Sequence, residues 1–156
     1  MGDDLYLWME QAIREAEKGF DEGEVPVGAV LVGADSTIVA KAHNQPITLK
    51  DPTAHAEILV LRAGGAFFRN YRISDATLVV TIEPCPMCMG AALQARISRL
   101  VFGAYDPKSG AAGSVYNLAI DERLNHRIEV IPGVMEEECR RLMQDFFRSR
   151  RETTEV

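Results

Sequence analysis

Two short segments constrain this chain more than anything else in it: His55-Ala56-Glu57, and Glu83-Pro84-Cys85-Pro86-Met87-Cys88. An imidazole and two thiolates suit a tetrahedral zinc ion, and three protein ligands leave a fourth position for water. A fold that uses them must bring both segments to one point. Zinc lowers the pKa of its water from about 16 to about 7, so a nucleophile forms near neutral pH if a neighbouring group carries the proton away. Glu57 is the candidate for that transfer.

The Cys-x-x-Cys pair alone fits half of a zinc ribbon or a redox pair equally well. His55 separates these readings by adding a third ligand. A fourth ligand from His43, His126 or Cys139 would close the site and make it structural. Neither His43 nor His126 belongs to a second tight ligand pair, however, and a closed site would give Glu57 no task beyond that of an acid at a helix start.

A length of 156 residues with 47% hydrophobic composition predicts one domain over 1–156, built on one core. No apolar run approaches the roughly 18 residues of a membrane span, and Met1-Gly2-Asp3-Asp4 is acidic where a secretory signal would be basic. The expectation is a soluble, cytoplasmic protein with no membrane association. Three cysteines, two of them in one pair, argue against a disulfide framework. A net charge of -6 argues against a surface coated with phosphate-binding groups, so any nucleic-acid site must be local. The clearest basic cluster is Arg140, Arg141, Arg148, Arg150 and Arg151, diluted by Asp145 and followed by Glu152 and Glu155; it also suits a solvated helix face.

Leu5, Trp8, Met9, Ala12, Ile13, Ala16 and Phe20 recur at helical spacing, with Asp3 or Asp4 placed to cap the start and Gly19 near the end. Val27 to Val32 and Thr37 to Ala42 read as a hairpin around Gly33-Ala34-Asp35-Ser36. His43 to Thr53 reads as loop, delivering the chain to a helix from about Ala54 toward Gly64 with His55 and Glu57 in its first turn. Thr77 to Ile82 is a strand, followed directly by Cys85 and by a helix that reaches about Ala95 and holds Cys88 in its first turn. The metal would then sit between two helix N-termini, whose amides favour thiolate over thiol. Leu100 to Gly103 and Ile128 to Ile131 are further strands, with an irregular functional loop between them. A last helix, Met135 to Arg151, places Cys139, Leu142, Met143, Phe146 and Phe147 on one face, so Cys139 is expected in the core. The alternation predicts an α/β fold, a three-layer α/β/α sandwich around a mixed sheet of about five strands.

The H-x-E and P-C-x-x-C pattern resembles the signature of the zinc-dependent nucleobase deaminases. The wider sequence resembles the bacterial tRNA-specific adenosine deaminases, within the cytidine and deoxycytidylate deaminase superfamily. The resemblance runs almost end to end, through Glu24-Val25-Pro26-Val27-Gly28-Ala29-Val30, the Asn44 loop, Asp51-Pro52-Thr53-Ala54-His55-Ala56-Glu57-Ile58 and Asp75-Ala76-Thr77-Leu78. It continues through Gly103 to Ser114 and Asp145-Phe146-Phe147-Arg148-Ser149-Arg150-Arg151. The metal motif spans the whole superfamily; the loop and tail are the narrower signal.

The resemblance implies a zinc-dependent homodimer that converts adenosine to inosine at the wobble position of tRNA anticodons. One Zn2+ per subunit would be held by His55, Cys85 and Cys88, and Glu57 would move protons to N1 of adenine and to the departing ammonia. It further implies that Asn44 hydrogen-bonds the target nucleotide and that Asp106 and Lys108 touch its neighbours. Asn44 is also an ordinary turn residue before Pro46, and Asp106 and Lys108 also suit a solvated loop. Against a tRNA anticodon arm, Arg148, Arg150 and Arg151 become candidates for holding phosphates. Two other functions use the same metal motif: deamination of a free base or small nucleotide such as guanine or cytosine, and a noncatalytic zinc module that binds RNA. The arginine strip favours an RNA substrate over the first, and four protein ligands would mark the second.

Overall fold

The structure, a computed structural model, describes residues 2–154; Met1 of the acidic start and Glu155 after the arginine cluster lie outside the described residues. The first apolar periodicity forms α1 (Gly2–Asp21), burying Trp8, Met9, Ala12 and Ala16 along one stripe. Asp3 and Asp4 lie inside its first turn rather than before it, where the charge of Asp4 complements the positive end of the helix dipole. Gly19 lies within the helix, and the chain turns instead at Gly23, whose φ is 82°.

β1 (Gly28–Val32) and β2 (Ile38–His43) form the expected antiparallel hairpin, with a register shift between Leu31 and Val32. β3 (Thr77–Ile82) pairs antiparallel with β1, whereas β4 (Arg99–Ala104) and β5 (Glu129–Ile131) continue in parallel, giving the order β2-β1-β3-β4-β5. Parallel neighbours need a crossover, and α4 (Pro86–Ala95) supplies the one between β3 and β4. α3 (Ala56–Phe68) packs on β1 and β2 and touches α4, and α5 (Glu136–Thr154) packs on β4 and β3 and touches α1.

Strand parity shows which helices share a face. Gly28 of β1 and Gly103 of β4 flank Thr81 of β3, and Gly28 N donates to Thr81 Oγ1 at 3.1 Å. A β-carbon on Gly28 would overlap the backbone of Ala12 and Ala16 in α1, and one on Gly103 would overlap Cys139 of α5. α1 and α5 therefore cover one face at close approach. Leu31, of opposite parity in β1, meets Gly64 of α3, so α3 lies on the other face with α4 beside it. Covered on both sides, β1 and β3 are buried along their whole length, which is why they read as unbroken apolar runs. The three layers and the mixed five-stranded sheet are as the sequence predicts.

The structure departs from the expected elements at three further points. α3 runs past Gly64 because that glycine makes room for Leu31 rather than ending the helix, which stops at Arg69 in the left-handed region. Phe147, expected on the buried face of α5, is 45% exposed, while Cys139 and Phe146 are buried. Residues 43–53 are not all loop: α2 (Pro46–Leu49) makes one turn, with Pro46 at its start. Four residues are too few to leave a periodicity. That turn is held by Glu24, which is 1% exposed and accepts from Ile47 N at 3.2 Å, Thr48 N at 2.7 Å and Thr48 Oγ1 at 2.7 Å. Among the described residues, no helix is long and apolar enough to cross a membrane.

Burial acts to raise the Glu24 pKa, but the hydrogen bonds from Thr48 and Ile47 outweigh it and hold the carboxyl below its ordinary value. Its stabilisation is therefore complete at neutral pH and is lost as the pH falls through the folded pKa. Glu24→Gln should lower unfolding free energy by about 1–3 kcal/mol at neutral pH. In denaturant titrations the gap to wild type should close in acid; a gap that widens in acid contradicts this role.

Candidate active site

Both ligand segments begin helices. His55 and Cys85 occupy the N-cap positions of α3 and α4 in extended conformation (φ, ψ of -71°, 150° and -76°, 173°), and neither side chain caps its own helix. An N-cap side chain lies beside the exposed amides of the first turn, so these two project from the helix ends toward each other. Pro86 fits directly after Cys85 because the first helical residue needs no amide hydrogen. One turn on, Cys88 is fully buried. The sheet supplies the meeting point, since Cys85 lies just beyond the carboxyl end of β3.

His55 Nδ1 lies 3.7 Å from Cys85 Sγ and 3.4 Å from Cys88 Sγ. The three ligand atoms fall within 4.8 Å of one another, close enough to hold one metal ion. His43, His126 and Cys139 do not join them. His43 Nε2 meets Glu22 at 2.9 Å, His126 Nε2 meets Ile97 O at 2.7 Å, and Cys139 packs under β4. Burial pushes the Cys139 thiol up to about 12, as befits an inert core residue.

A hydrogen bond between the two thiols, with Cys85 as acceptor, holds Cys85 down at about 4 and pushes Cys88 well above the ordinary thiol range. The contact with Cys85 also raises His55, against the opposing effect of burial. Glu57 stands in the first turn of α3, only 4% exposed. Burial lifts its carboxyl to about 7, and its Oε1 has no hydrogen-bond partner. An unpartnered carboxylate oxygen is costly inside a protein and marks a group kept for something else.

Asn44 is buried at the end of β2, and its Oδ1 accepts from Ala56 N at 2.7 Å. It thereby supplies the cap that His55 withholds, and ties the Asn44 loop to the ligand-bearing helix. Asp106 turns its carboxylate inward on its own loop, accepting from Lys108 N at 3.0 Å and Ser109 Oγ at 2.8 Å. The loop and tail residues meet across a cleft of about 720 Å³, lined by Asp106, Lys108, Arg148 and Arg151 together with Tyr105, Arg140 and Phe147. Arg150 is not part of that lining. Its guanidinium donates to Gly23 O and lies 5.0 Å over the Phe146 ring, which itself meets Phe20 edge-on at 5.6 Å. Arg150 thus docks the end of α5 on the end of α1. Arg148 pairs with Asp145 at 3.2 Å.

Two carboxylates escaped assignment from sequence. Glu24 holds α2, and Glu83 is 2% exposed beneath the loop that begins at Asp106. The available signal was an acidic residue placed directly against an apolar strand, since such a charge is either paired or hydrogen-bonded.

The sheet, the two helix starts and the His-Cys-Cys-Glu cluster define a deaminase, and the MafB19-like deaminase family model matches residues 4–151. The tRNA-specific adenosine deaminase of Bacillus subtilis (strain 168) is 48% identical over 145 residues, covering 93% of this chain and 89% of that protein. That of Haemophilus influenzae is 48% identical over 148 residues, covering 95% and 86%. This chain belongs to the tRNA-specific adenosine deaminase family. A solved structure from work on A-to-I editing by tRNA:A34 deaminases at the wobble position of transfer RNA matches with a TM-score of 0.84 at 41% identity, covering 86% of this chain and 97% of that one. The guanine deaminase of Nitrosomonas europaea shares the fold, with a TM-score of 0.80 at 21% identity, covering 90% and 83%.

The different placements of the two arginines predict different consequences. Arg150→Ala should lower the melting temperature by about 2–4 °C through the lost dock on Gly23 and Phe146. Arg148→Ala, which removes an exposed ion pair, should stay within about 1 °C of wild type. Equal shifts in thermal unfolding contradict the docking role.

Proposed function

We propose that this chain converts adenosine to inosine at the wobble position of tRNA anticodons, as a zinc-dependent hydrolase that takes up water and releases ammonia. The observation that carries the chemistry is the unpartnered Oε1 of buried Glu57 beside three converging metal-ligating atoms. Zinc suits that donor set. Tetrahedral coordination at ordinary Zn–S and Zn–N lengths separates sulfur from nitrogen by about 3.6 Å. The S···N distances of 3.4 and 3.7 Å bracket that value. His55 Nδ1 and the sulfurs of Cys85 and Cys88 would hold the ion. Zinc supplies Lewis acidity that makes water a usable nucleophile near neutral pH.

The remaining steps fall to side chains. Glu57 takes a proton from the attacking water and passes it to N1 of adenine as the C6–O bond forms; it then takes the proton of the new C6 hydroxyl and delivers it to the amino nitrogen, so that ammonia leaves as the C6–N bond breaks and the C6 carbonyl forms. One carboxylate can serve both transfers because it stands buried, with one oxygen uncommitted. Asn44 spends its Oδ1 on Ala56 N, which fixes the side chain and leaves the amide nitrogen as a donor to the target nucleotide. Asp106 and Lys108 contact the flanking nucleotides from the loop. Arg148 and Arg151, across the cleft, hold phosphates of the anticodon arm, and Arg150 adds charge while docking the helix. A cleft open to flanking nucleotides favours RNA over a free base. In this reading the chain acts as one domain, in a homodimer, in the cytoplasm.

Glu57→Ala should retain zinc by metal analysis and lose about 10²- to 10⁴-fold in turnover; near-normal turnover contradicts the assignment. Replacing Arg148, Arg150 and Arg151 together should weaken RNA binding, with zinc unchanged. The slope of log affinity against log salt should become shallower by about 2. An unchanged slope returns these arginines to a solvated helix face.

A further inference from the structure

Glu83 lies two residues before Cys85, with its backbone N donating to Ala104 O at 2.8 Å across the sheet end. Its carboxylate makes four hydrogen bonds, all to one loop. Oε1 accepts from Asp106 N at 3.0 Å and from the Ser114 hydroxyl; Oε2 accepts from Ala112 N and Ser114 N, both at 3.0 Å. Four donors saturate a carboxylate, and no ion pair to Glu83 occurs among the described residues. The loop is shaped to the charge as well as bonded to it. Gly110 is buried against the carboxylate, where a β-carbon would overlap it, and Ala111 N ties the same stretch to Pro84 O at 2.8 Å.

A buried charge is retained only when its surroundings satisfy it, and here they do so wholly with the segment that carries Asp106 and Lys108. We propose that Glu83 is a positioning residue for the RNA substrate: its carboxylate locks the Asp106–Ser114 loop to the turn bearing Cys85 and Cys88. The nucleotide-contacting loop and the metal-ligand turn then form one rigid body. This rests on the function proposed above. None of the hydrogen bonds of the Glu83 carboxylate goes to His55, Cys85, Cys88 or Glu57, so its effect falls on where the RNA sits rather than on proton transfer.

Glutamine has the shape of glutamate but must present an NH2 to one side of this all-donor nest, facing a backbone N–H whichever way it is turned. The test uses zinc-loaded full chain and an anticodon stem-loop. Glu83→Gln should keep its zinc, raise KM about 10- to 100-fold and hold kcat within about threefold. Amide exchange should quicken about tenfold or more at Asp106, Ala112 and Ser114 but not in β3. Gly110→Ala, crowding the same carboxylate, should shift KM in the same direction. Should Glu83→Gln fail to fold, Ser114→Ala removes a single donor and should raise KM about 3- to 10-fold. Unchanged KM in the folded variants overturns the proposal, as does loss of zinc in step with activity, which would make Glu83 part of the metal scaffold alone. A wild-type protein that forms no inosine refutes the proposed function instead, and the exchange measurement still decides the role of Glu83.

Discussion

The close approach of two helix starts at the carboxyl end of β3 is the constraint on which the rest of the structure depends. His55 and Cys85 give up the usual work of an N-cap, so each helix must find its first-turn support elsewhere. Asn44 provides it for α3 from the loop just after β2, and Pro86 reduces the need in α4 by lacking an amide hydrogen. Around this junction the fold tolerates a carboxylate with an unsatisfied oxygen, Glu57, at a position where burial is the main influence lifting its pKa to about 7. Only a tightly packed scaffold holds such an arrangement. Gly28 and Gly103 show that packing at its closest, with helix backbone and a cysteine occupying the space of absent side chains.

Two further buried carboxylates repeat one device at the rim. Glu24 accepts from the turn at Ile47 and Thr48, and Glu83 accepts from the loop between Asp106 and Ser114. Each converts an exposed irregular segment into a wall of defined shape without adding apolar bulk. Loops carry recognition because they can vary, and fixed anchors let them do so without blurring the geometry at the centre. Several basic groups gather on the loop side, where Lys108, Arg140, Arg148 and Arg151 line one cleft. An acidic protein can thus present local positive charge to a polyanion.

Much of this was legible in the sequence because it rests on local chemistry. β1 and β3 announce themselves through apolar runs buried on both faces, and the ligand set through residue types that few other sites use together. What sequence hid depends on partners distant along the chain. Glu24 gave no sign that its bonds go to residues 47 and 48, and Gly64 looked like a helix end because nothing local reveals Leu31 above it. The tail is the clearest case. Three arginines looked equivalent as a basic strip, yet Arg150 reaches back to Gly23 while Arg148 and Arg151 face the cleft. Periodicity assigns a residue to a face; it does not say which neighbour waits there.

The proposed function joins a general deaminating centre to a cleft that would hold RNA, and the rest of the proposal depends on that junction. Incubating the zinc-loaded protein with a panel of anticodon stem-loops, and reading adenosine-to-inosine conversion at each position, tests it most directly. Inosine is expected at the wobble position and at no other adenosine of the same stem-loops. Conversion of free bases alone, with every stem-loop left intact, would contradict it.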